Sequence, residues 1–213
     1  MNRRKIYNFD QVFTPDHQQN DVYGGLGVSR LVNKVVEGYH ATIFAYGQTG
    51  SGKTFTMEGN EREYDSGSYQ PDESSTGITQ RAVMELFQQI EVAKSQDNTK
   101  HYSVFASFLQ IYNEKVFDLL NPSSIGGLSA LRKTHTGANG LGNDQTGLRI
   151  RWTQKDQFVV ENLYVFECQT AEEALKLFKF GSQNKILASH NLNEFSSRSH
   201  GIFSLTVEAQ DIK

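Results

Sequence analysis

Apolar residues recur at two different spacings along this chain, which indicates that helices and strands alternate. Helical spacing, with neighbours three or four positions apart, occurs in three segments. The first segment is 20–38, which ends at Gly38, and the second is 82–93. The third segment begins with the capping box Thr170-Ala-Glu-Glu173. Extended segments are predicted at 7–13, 41–46, 104–112, 148–152, 158–160 and 202–207. The two spacings together favour an α/β fold.

The run 41–57, ATIFAYGQTGSGKTFTM, joins a predicted strand to a glycine-rich loop and a helix start. The apolar stretch 41–46 is nearly continuous, as in a strand buried on both faces. The loop matches G-x-x-x-x-G-K-S/T, a pattern whose glycines let successive backbone N–H groups surround a β-phosphate. An accidental match is expected in on the order of one chain of this length in a hundred, and the flanking elements make it rarer. The residues of this phosphate loop are Gly47, Gln48, Thr49, Gly50, Ser51, Gly52, Lys53 and Thr54.

Two residues at the end of the phosphate loop have side chains suited to a triphosphate. The ammonium group of Lys53 would reach the β and γ phosphates. The hydroxyl group of Thr54 would hold Mg²⁺ at the positive end of the helix that follows. The sequence therefore predicts that a magnesium-bound nucleoside triphosphate binds here.

The composition excludes several classes of protein. A chain of 213 residues with 21% charged and 37% hydrophobic residues fits one globular domain. No apolar run approaches the length of a membrane span or forms the core of a signal peptide, so we expect a cytosolic protein without direct membrane contact. The net charge of −3 argues against a nucleic-acid partner. Cys168 is the single cysteine of the sequence, which excludes an internal disulfide and predicts an interior position.

A second polar cluster, NEFSSRSH at 193–200, precedes the last predicted strand. It brings hydroxyl, amide, guanidinium and imidazole groups into eight consecutive residues. Phosphoryl transfer depends mainly on positioning and electrostatic stabilisation, which such groups provide. A serine-rich capping turn is the alternative interpretation of this segment by itself. The phosphate loop in the same chain favours the interpretation as a catalytic segment.

Taken together, GQTGSGKTFTM at 47–57 and NEFSSRSH at 193–200 resemble the motor domain of the kinesin family. Almost the whole chain agrees with that family in order and spacing, and 123–147 is the main stretch without a clear counterpart. The resemblance implies an α/β fold of the P-loop NTPase type, a three-layer sandwich with a central mixed, mostly parallel sheet and helices on both faces. The other matching segments are FDQVF at 9–13, GYHATIF at 38–44 and IYNEKVFDLL at 111–120.

The resemblance implies a microtubule-dependent motor that hydrolyses ATP with Mg²⁺ in the cytoplasm, on the cytoskeleton. Residues 47–54 would then bind the ATP phosphates and Mg²⁺, and Phe55 would stack on the adenine ring. The partner would be tubulin in the microtubule, and the complete protein could dimerise through a stalk that this chain does not contain.

In the kinesin family NEFSSRSH corresponds to the first γ-phosphate sensor, so the resemblance assigns roles to four of its residues. Asn193 and Ser196 would address the γ-phosphate and the attacking water. Ser197 would contact Mg²⁺ or phosphate, and Arg198 would pair with a glutamate of a second sensor. These four are the candidate catalytic residues.

Two other segments acquire an expected role from the resemblance. Segment 58–77 corresponds to an insertion near the nucleotide, and 123–161 to a lobe that helps to bind the microtubule. Positive side chains in that lobe would face an acidic lattice, although ordinary solvated surface is an equal alternative for each one. They are Arg132, Lys133, Arg149, Arg151 and Lys155.

The chain departs from the family pattern at both ends. The family begins with a strand that ends in R-x-R-P, and it continues after NEFSSRSH with a D-x-x-G sensor and the main microtubule-binding helix. Residues 1–213 are therefore interpreted as a partial motor domain. Strand 43–46 would lack neighbours, at about 1–3 kcal/mol per buried unpaired backbone group. We expect that this chain by itself neither folds stably nor hydrolyses ATP.

Alternative functions remain open. A kinesin-like scaffold could bind microtubules or nucleotide without turnover, and the missing second sensor would decide between scaffold and motor. A signalling GTPase is suggested by DQTG at 144–147 and TQKD at 153–156, but these motifs are too close together for the strand and helix that a GTPase places between them. Another family of P-loop ATPases would have to match NEFSSRSH by chance.

Overall fold

The structure is a computed structural model that describes residues 5–60, 75–121, 147–154, 158–190 and 199–212, without the side chains of 186–190. The chain divides into two units, Met1–Gln89 and Ile90–Lys213, which are described in turn. Within these described ranges, no helix is long and apolar enough to cross a membrane.

The first unit contains the helices α1 (Gln19–Gly25), α2 (Val28–Val36) and α3 (Lys53–Glu58), and the start of α4 (Ile78–Gln96). The sequence predicted one helix over 20–38, and this prediction is wrong in one respect, because Leu26 and Gly27 separate two helices. Gly27 has φ 65°, a left-handed conformation that glycine adopts without steric cost and that a helix interior does not contain. The predicted end at Gly38 is confirmed, since this residue follows α2 with φ 98°.

The segment before the phosphate loop is not a strand, so the prediction of a buried strand at 41–46 is wrong for the described structure. Phe44 is 79% exposed and Tyr46 is 94% exposed. No described strand pairs with this segment, and an extended backbone without ladder hydrogen bonds gains nothing that fixes it as a strand. The same holds for 7–13, which also forms no strand.

A polar contact joins α1 and α2 to α4. The hydroxyl groups of Tyr23 and Ser29 both donate to Oε2 of Glu85, at 2.6 and 2.8 Å. Burial of Tyr23 and the adjacent Glu85 carboxylate raise the pKa of the tyrosine well above its ordinary value. Tyr23 therefore stays protonated and keeps donating its hydrogen bond.

The second unit is built around β1 (Lys100–Tyr112), which is paired on both edges. One edge pairs along its whole length with β6 (Ser199–Asp211), from Lys100↔Asp211 to Tyr112↔Ser199. The other edge pairs with β2 (Lys115–Asp118) at 109–112 and with β5 (Phe166–Cys168) at 104–106. A separate hairpin joins β3 (Ile150–Trp152) to β4 (Phe158–Val160), and α5 spans Ala171–His190.

The strand predictions in this unit are largely confirmed, with two differences. Every described pair of strands is antiparallel, so the mostly parallel pairing is not present among the described strands. Strand β5 has only three residues, too few for alternation to be recognised, and the sequence did not predict it. Its last residue, Cys168, is buried as expected.

Aromatic rings form the core between the sheet and α5. The ring of Phe108 lies 5.6 Å from that of Phe178 and 5.4 Å from that of Phe203, measured between centroids. Gly181 of α5 faces the same ring, because a Cβ atom there would lie 2.2 Å from Cδ1 of Phe108. The absence of a side chain at Gly181 thus lets α5 approach β1 closely.

The capping signal of α5 is confirmed in part. The backbone N–H of Glu173 donates to Oγ1 of Thr170 at 3.2 Å, as in a capping box. The carboxylate of Glu173 accepts from the N–H of Gln169 at 2.7 Å, one residue before the position that the motif predicts. Both bonds satisfy backbone donors at the start of the helix.

Asp118 lies at the end of β2 and fixes the chain around it. Its Oδ1 accepts the N–H of Leu120 at 2.8 Å, and its Oδ2 accepts the N–H of Tyr164 at 2.6 Å. Burial raises the pKa of the Asp118 carboxyl group to about 6, against the opposing effect of these hydrogen bonds.

We expect Asp118→Asn to remove a pH dependence of stability between about pH 4 and pH 6. The folded state binds the proton more tightly than the unfolded chain in this window. The free energy of unfolding therefore falls as the pH rises, by roughly 3 kcal/mol in total for a shift of about two pKa units. Denaturant titrations followed by circular dichroism at several pH values measure this slope. Asp16→Asn, at an exposed acid, is the control, and an unchanged profile in Asp118→Asn would contradict the assignment.

Candidate nucleotide site

The phosphate loop is a tight turn that leads directly into α3. Gly50 has φ 79° and Gly52 has φ 90°, both in the left-handed region that favours glycine. The N–H of Ser51 donates to the carbonyl of Gln48 at 3.2 Å, and the N–H of Thr56 donates to the carbonyl of Gly52 at 2.8 Å. The loop and helix start therefore form as the sequence predicted.

The ammonium group of Lys53 lies against the phosphate loop itself. Its Nζ donates to the carbonyl oxygens of Gly47 at 2.8 Å and Gln48 at 2.7 Å. An ammonium group has three donor protons, so these two contacts leave one for a further acceptor. A phosphate oxygen is a stronger acceptor for a cation than a neutral carbonyl. These contacts hold the Lys53 ammonium group beside the backbone at the start of the phosphate loop.

A side chain at the first residue of the loop would require Ser51 to move. A Cβ atom on Gly47 would lie 2.5 Å from Oγ of Ser51. The side chains of Thr54 and Phe55 are exposed, and that of Phe55 retains 55% of its accessible surface. The side chains of Thr54 and Phe55, at the start of α3, are thus accessible to solvent.

The donor set of the loop fits a magnesium nucleotide. Lys53 supplies a cation, and Thr54 supplies a hydroxyl oxygen of the kind that Mg²⁺ accepts beside phosphate ligands. Among the residues that the structure describes, no group of three or more His, Cys, Asp or Glu side chains could hold a metal ion.

The candidate catalytic residues lie outside the described residues. These are Asn193, Ser196, Ser197 and Arg198. The structure resumes at Ser199, which is the first residue of β6 and pairs with Tyr112 of β1. The structure therefore brings together the residues of the phosphate loop and leaves the roles of the four others as predictions.

Two buried glutamines that the sequence did not single out contact α3. Nε2 of Gln19 donates to the carbonyl of Phe55 at 2.6 Å, and Nε2 of Gln80 donates to the carbonyl of Glu58. Both side chains are buried. Both lie just before the predicted helical segments 20–38 and 82–93, and glutamine is usually a solvated residue, so the sequence carried no signal for either contact.

The predicted track-binding lobe is described only at the β3–β4 hairpin. The guanidinium Nε of Arg151 lies 3.0 Å from Oε1 of Glu161, with the arginine side chain largely exposed. The rings of Trp152 and Phe158 pack edge to face at 4.5 Å. Arg149 is also exposed. The other positive residues predicted for this lobe, Arg132, Lys133 and Lys155, lie outside the described residues.

Comparison with known proteins shows that the chain is similar to one family over almost its whole length. The sequence model of the family described as Kinesin motor domain matches residues 1–213. Kinesin-like protein KIN-5C of Arabidopsis thaliana is 34% identical over 207 residues, which cover 97% of this chain and 19% of that protein. Kinesin-like protein KIF11 of Xenopus tropicalis is 34% identical over 212 residues, which cover 98% of this chain and 17% of that protein. The chain thus spans less than a fifth of the length of these two relatives.

A solved structure of a fast kinesin, described with implications for ATPase mechanism and interactions with microtubules, matches this fold with a TM-score of 0.76 at 27% identity. The match covers 97% of this chain and 49% of that chain. It confirms the expected α/β fold class of the P-loop NTPase type. The chain belongs to the kinesin motor domain family.

Proposed function

We propose that this chain is the nucleotide-binding part of a microtubule motor that hydrolyses ATP with Mg²⁺. The observation that carries the proposal is the phosphate loop, in which the Lys53 ammonium group lies at the loop carbonyls of Gly47 and Gln48. Family membership supports ATP as the nucleotide and the microtubule as the track. It also favours ATP over the GTP that an alternative interpretation of 144–156 would require.

The phosphate loop would bind the triphosphate through its backbone and one cation. The left-handed glycines 50 and 52 turn the backbone so that successive N–H groups can face one anion. Lys53 would exchange its carbonyl contacts for oxygens of the β and γ phosphates, and Phe55 would stack on adenine. Mg²⁺, held by Thr54 and Ser197, would supply charge neutralisation at the phosphates.

The segment 193–198 would sense the γ-phosphate. We assign Asn193 and Ser196 to the γ-phosphate and the attacking water, and Arg198 to an ion pair with a glutamate of a second γ-phosphate sensor. Ser199, the residue that follows this segment in the sequence, pairs with Tyr112 in the sheet. Contacts to the γ-phosphate would order the segment, and phosphate loss would release it, which shifts the populations of tightly and weakly track-bound states.

The proposed function is tested by ATP turnover in the complete protein, with and without microtubules. A motor is expected to hydrolyse ATP faster when microtubules are added, and to sediment with them. Sedimentation without any ATP turnover would instead indicate a non-motile scaffold. Turnover of GTP in preference to ATP would overturn the assignment of the nucleotide.

We expect Ser197→Ala to leave ATP bound but to slow its hydrolysis by at least about tenfold, since one hydrogen-bonding oxygen at the reacting phosphate is lost. Single-turnover hydrolysis in the complete protein measures the chemical step, and an ATP-analogue titration measures affinity. Ser204→Ala, at an exposed position of β6, is the matched control. A single-turnover rate equal to that of the wild type would remove Ser197 from the site.

A further inference from the structure

The helix α3 is fixed by its backbone rather than by its side chains. It has six residues, and none of them is buried. A short helix with no apolar face in a core gains little from hydrophobic packing, which stabilises most protein helices. The phosphate loop leads directly into this helix, so whatever fixes α3 also fixes the loop.

Two buried amide groups hold carbonyl oxygens of α3 from different helices. Gln19 of α1 is 4% exposed, and its Nε2 donates to the carbonyl of Phe55 at 2.6 Å. Gln80 of α4 is 1% exposed, and its Nε2 donates to the carbonyl of Glu58. A glutamine is seldom so deeply buried unless its polar group is paired, and here the partner is in both cases the phosphate-loop helix.

The residues that follow α3 are bound through their backbone to the residues that precede α4. Gly59 forms a bridge with Thr76, and the N–H of Asn60 donates to the carbonyl of Ser75 at 3.0 Å. A Cβ atom on Gly59 would lie 2.1 Å from the carbonyl oxygen of Ser75. The C-terminal end of α3 is therefore attached through backbone contacts, and the two glutamines add contacts from α1 and α4.

We infer that Gln19 and Gln80 are positioning residues, which fix α3 and thereby the phosphate loop for the nucleotide. This inference rests on the proposed function. The two glutamines touch carbonyls of α3 and reach the nucleotide only through the helix. Phosphate binding requires several loop N–H groups and the Lys53 ammonium group to converge on one anion, and small misplacements reduce such convergence strongly.

The inference is tested with Mg·ATP as the titrant and the complete protein as the sample. Gln19→Met and Gln80→Met keep side-chain length but remove the amide donor, and each is expected to raise the Kd by about tenfold. Gln110→Met is the matched control, because Gln110 is 2% exposed, lies in β1 and belongs to the other unit. Its Kd is expected to stay within about twofold of the wild type.

A second substitution separates positioning from general stability. Gln19→His places an N–H donor at a reach similar to that of the glutamine amide and is expected to recover most of the affinity lost in Gln19→Met. Gln19→Glu, of equal size but without a donor at neutral pH, repeats the test where a methionine variant does not fold. All titrations are made well below the thermal midpoint of each variant, so that a lower midpoint does not itself change the Kd.

The possible outcomes separate a failure of this inference from a failure of the proposed function. Wild-type protein that does not bind Mg·ATP overturns the proposed function and the inference together. Wild-type protein that binds, with glutamine variants of unchanged Kd, overturns the inference alone. Weaker binding in both glutamine variants, an unchanged Kd in Gln110→Met and recovery in Gln19→His support it.

Discussion

Replacing Lys53 with alanine is expected to abolish measurable nucleotide binding, with a loss of affinity for Mg·ATP on the order of a hundredfold or more. The ammonium group is the cation that lies at the carbonyls of the phosphate loop, 2.8 and 2.7 Å from Gly47 and Gln48. Without it, the loop would offer only neutral donors to a highly charged anion. A titration of the complete protein with a fluorescent ATP analogue measures the change.

A second lysine of the same unit provides the control for Lys53. Lys34 lies on α2 and pairs with Glu37 at the surface. Since such exposed pairs contribute little, Lys34→Ala is expected to leave both stability and nucleotide affinity nearly unchanged. Retained affinity in Lys53→Ala would show that the loop does not bind phosphate in the proposed way.

Replacing Phe108 with alanine is expected to lower the free energy of unfolding by about 3–5 kcal/mol. The ring is 2% exposed and packs against Phe178 of α5 and Phe203 of β6. Its removal leaves a cavity between the sheet and α5. The loss of buried apolar surface and the loss of van der Waals contacts both lower the free energy of unfolding. Urea unfolding of the complete protein, followed by circular dichroism, gives the difference.

Phe158 is the matched control for Phe108, because it lies in the same unit but is 74% exposed. Its ring contacts Trp152 at the surface of the β3–β4 hairpin. Phe158→Ala is therefore expected to cost less than about 1 kcal/mol, the value of one exposed aromatic pair. A similar loss in both variants would mean that the Phe108 cluster is not a core.

The phosphate loop could be predicted from the sequence because its chemistry is local. The turn and the helix start follow from a pattern of eight residues, and the structure shows left-handed glycines at 50 and 52 and a helix that begins at Lys53. The long elements α4, β1 and β6 were also predicted, since their apolar periodicity extends over enough residues to be unambiguous.

The features that could not be predicted from the sequence depend on pairing, on long-range contacts or on the backbone conformation of single residues. The strand expected at 41–46 has the right composition, but a strand exists only when a neighbour pairs with it. Gln19 reaches the carbonyl of Phe55 across 36 positions, and no local pattern marks such a bond. The break in the first helix depends on Gly27, whose left-handed conformation a count of apolar spacings does not register.

The apolar segment 41–46 is also expected to affect how the chain behaves in solution. No charged residue occurs between His40 and Lys53, and Phe44 and Tyr46 point their rings into water. Short uncharged runs rich in β-branched and aromatic residues are the sequences that associate between molecules through new cross-chain strands. This segment is thus expected to lower the colloidal stability of a recombinant preparation.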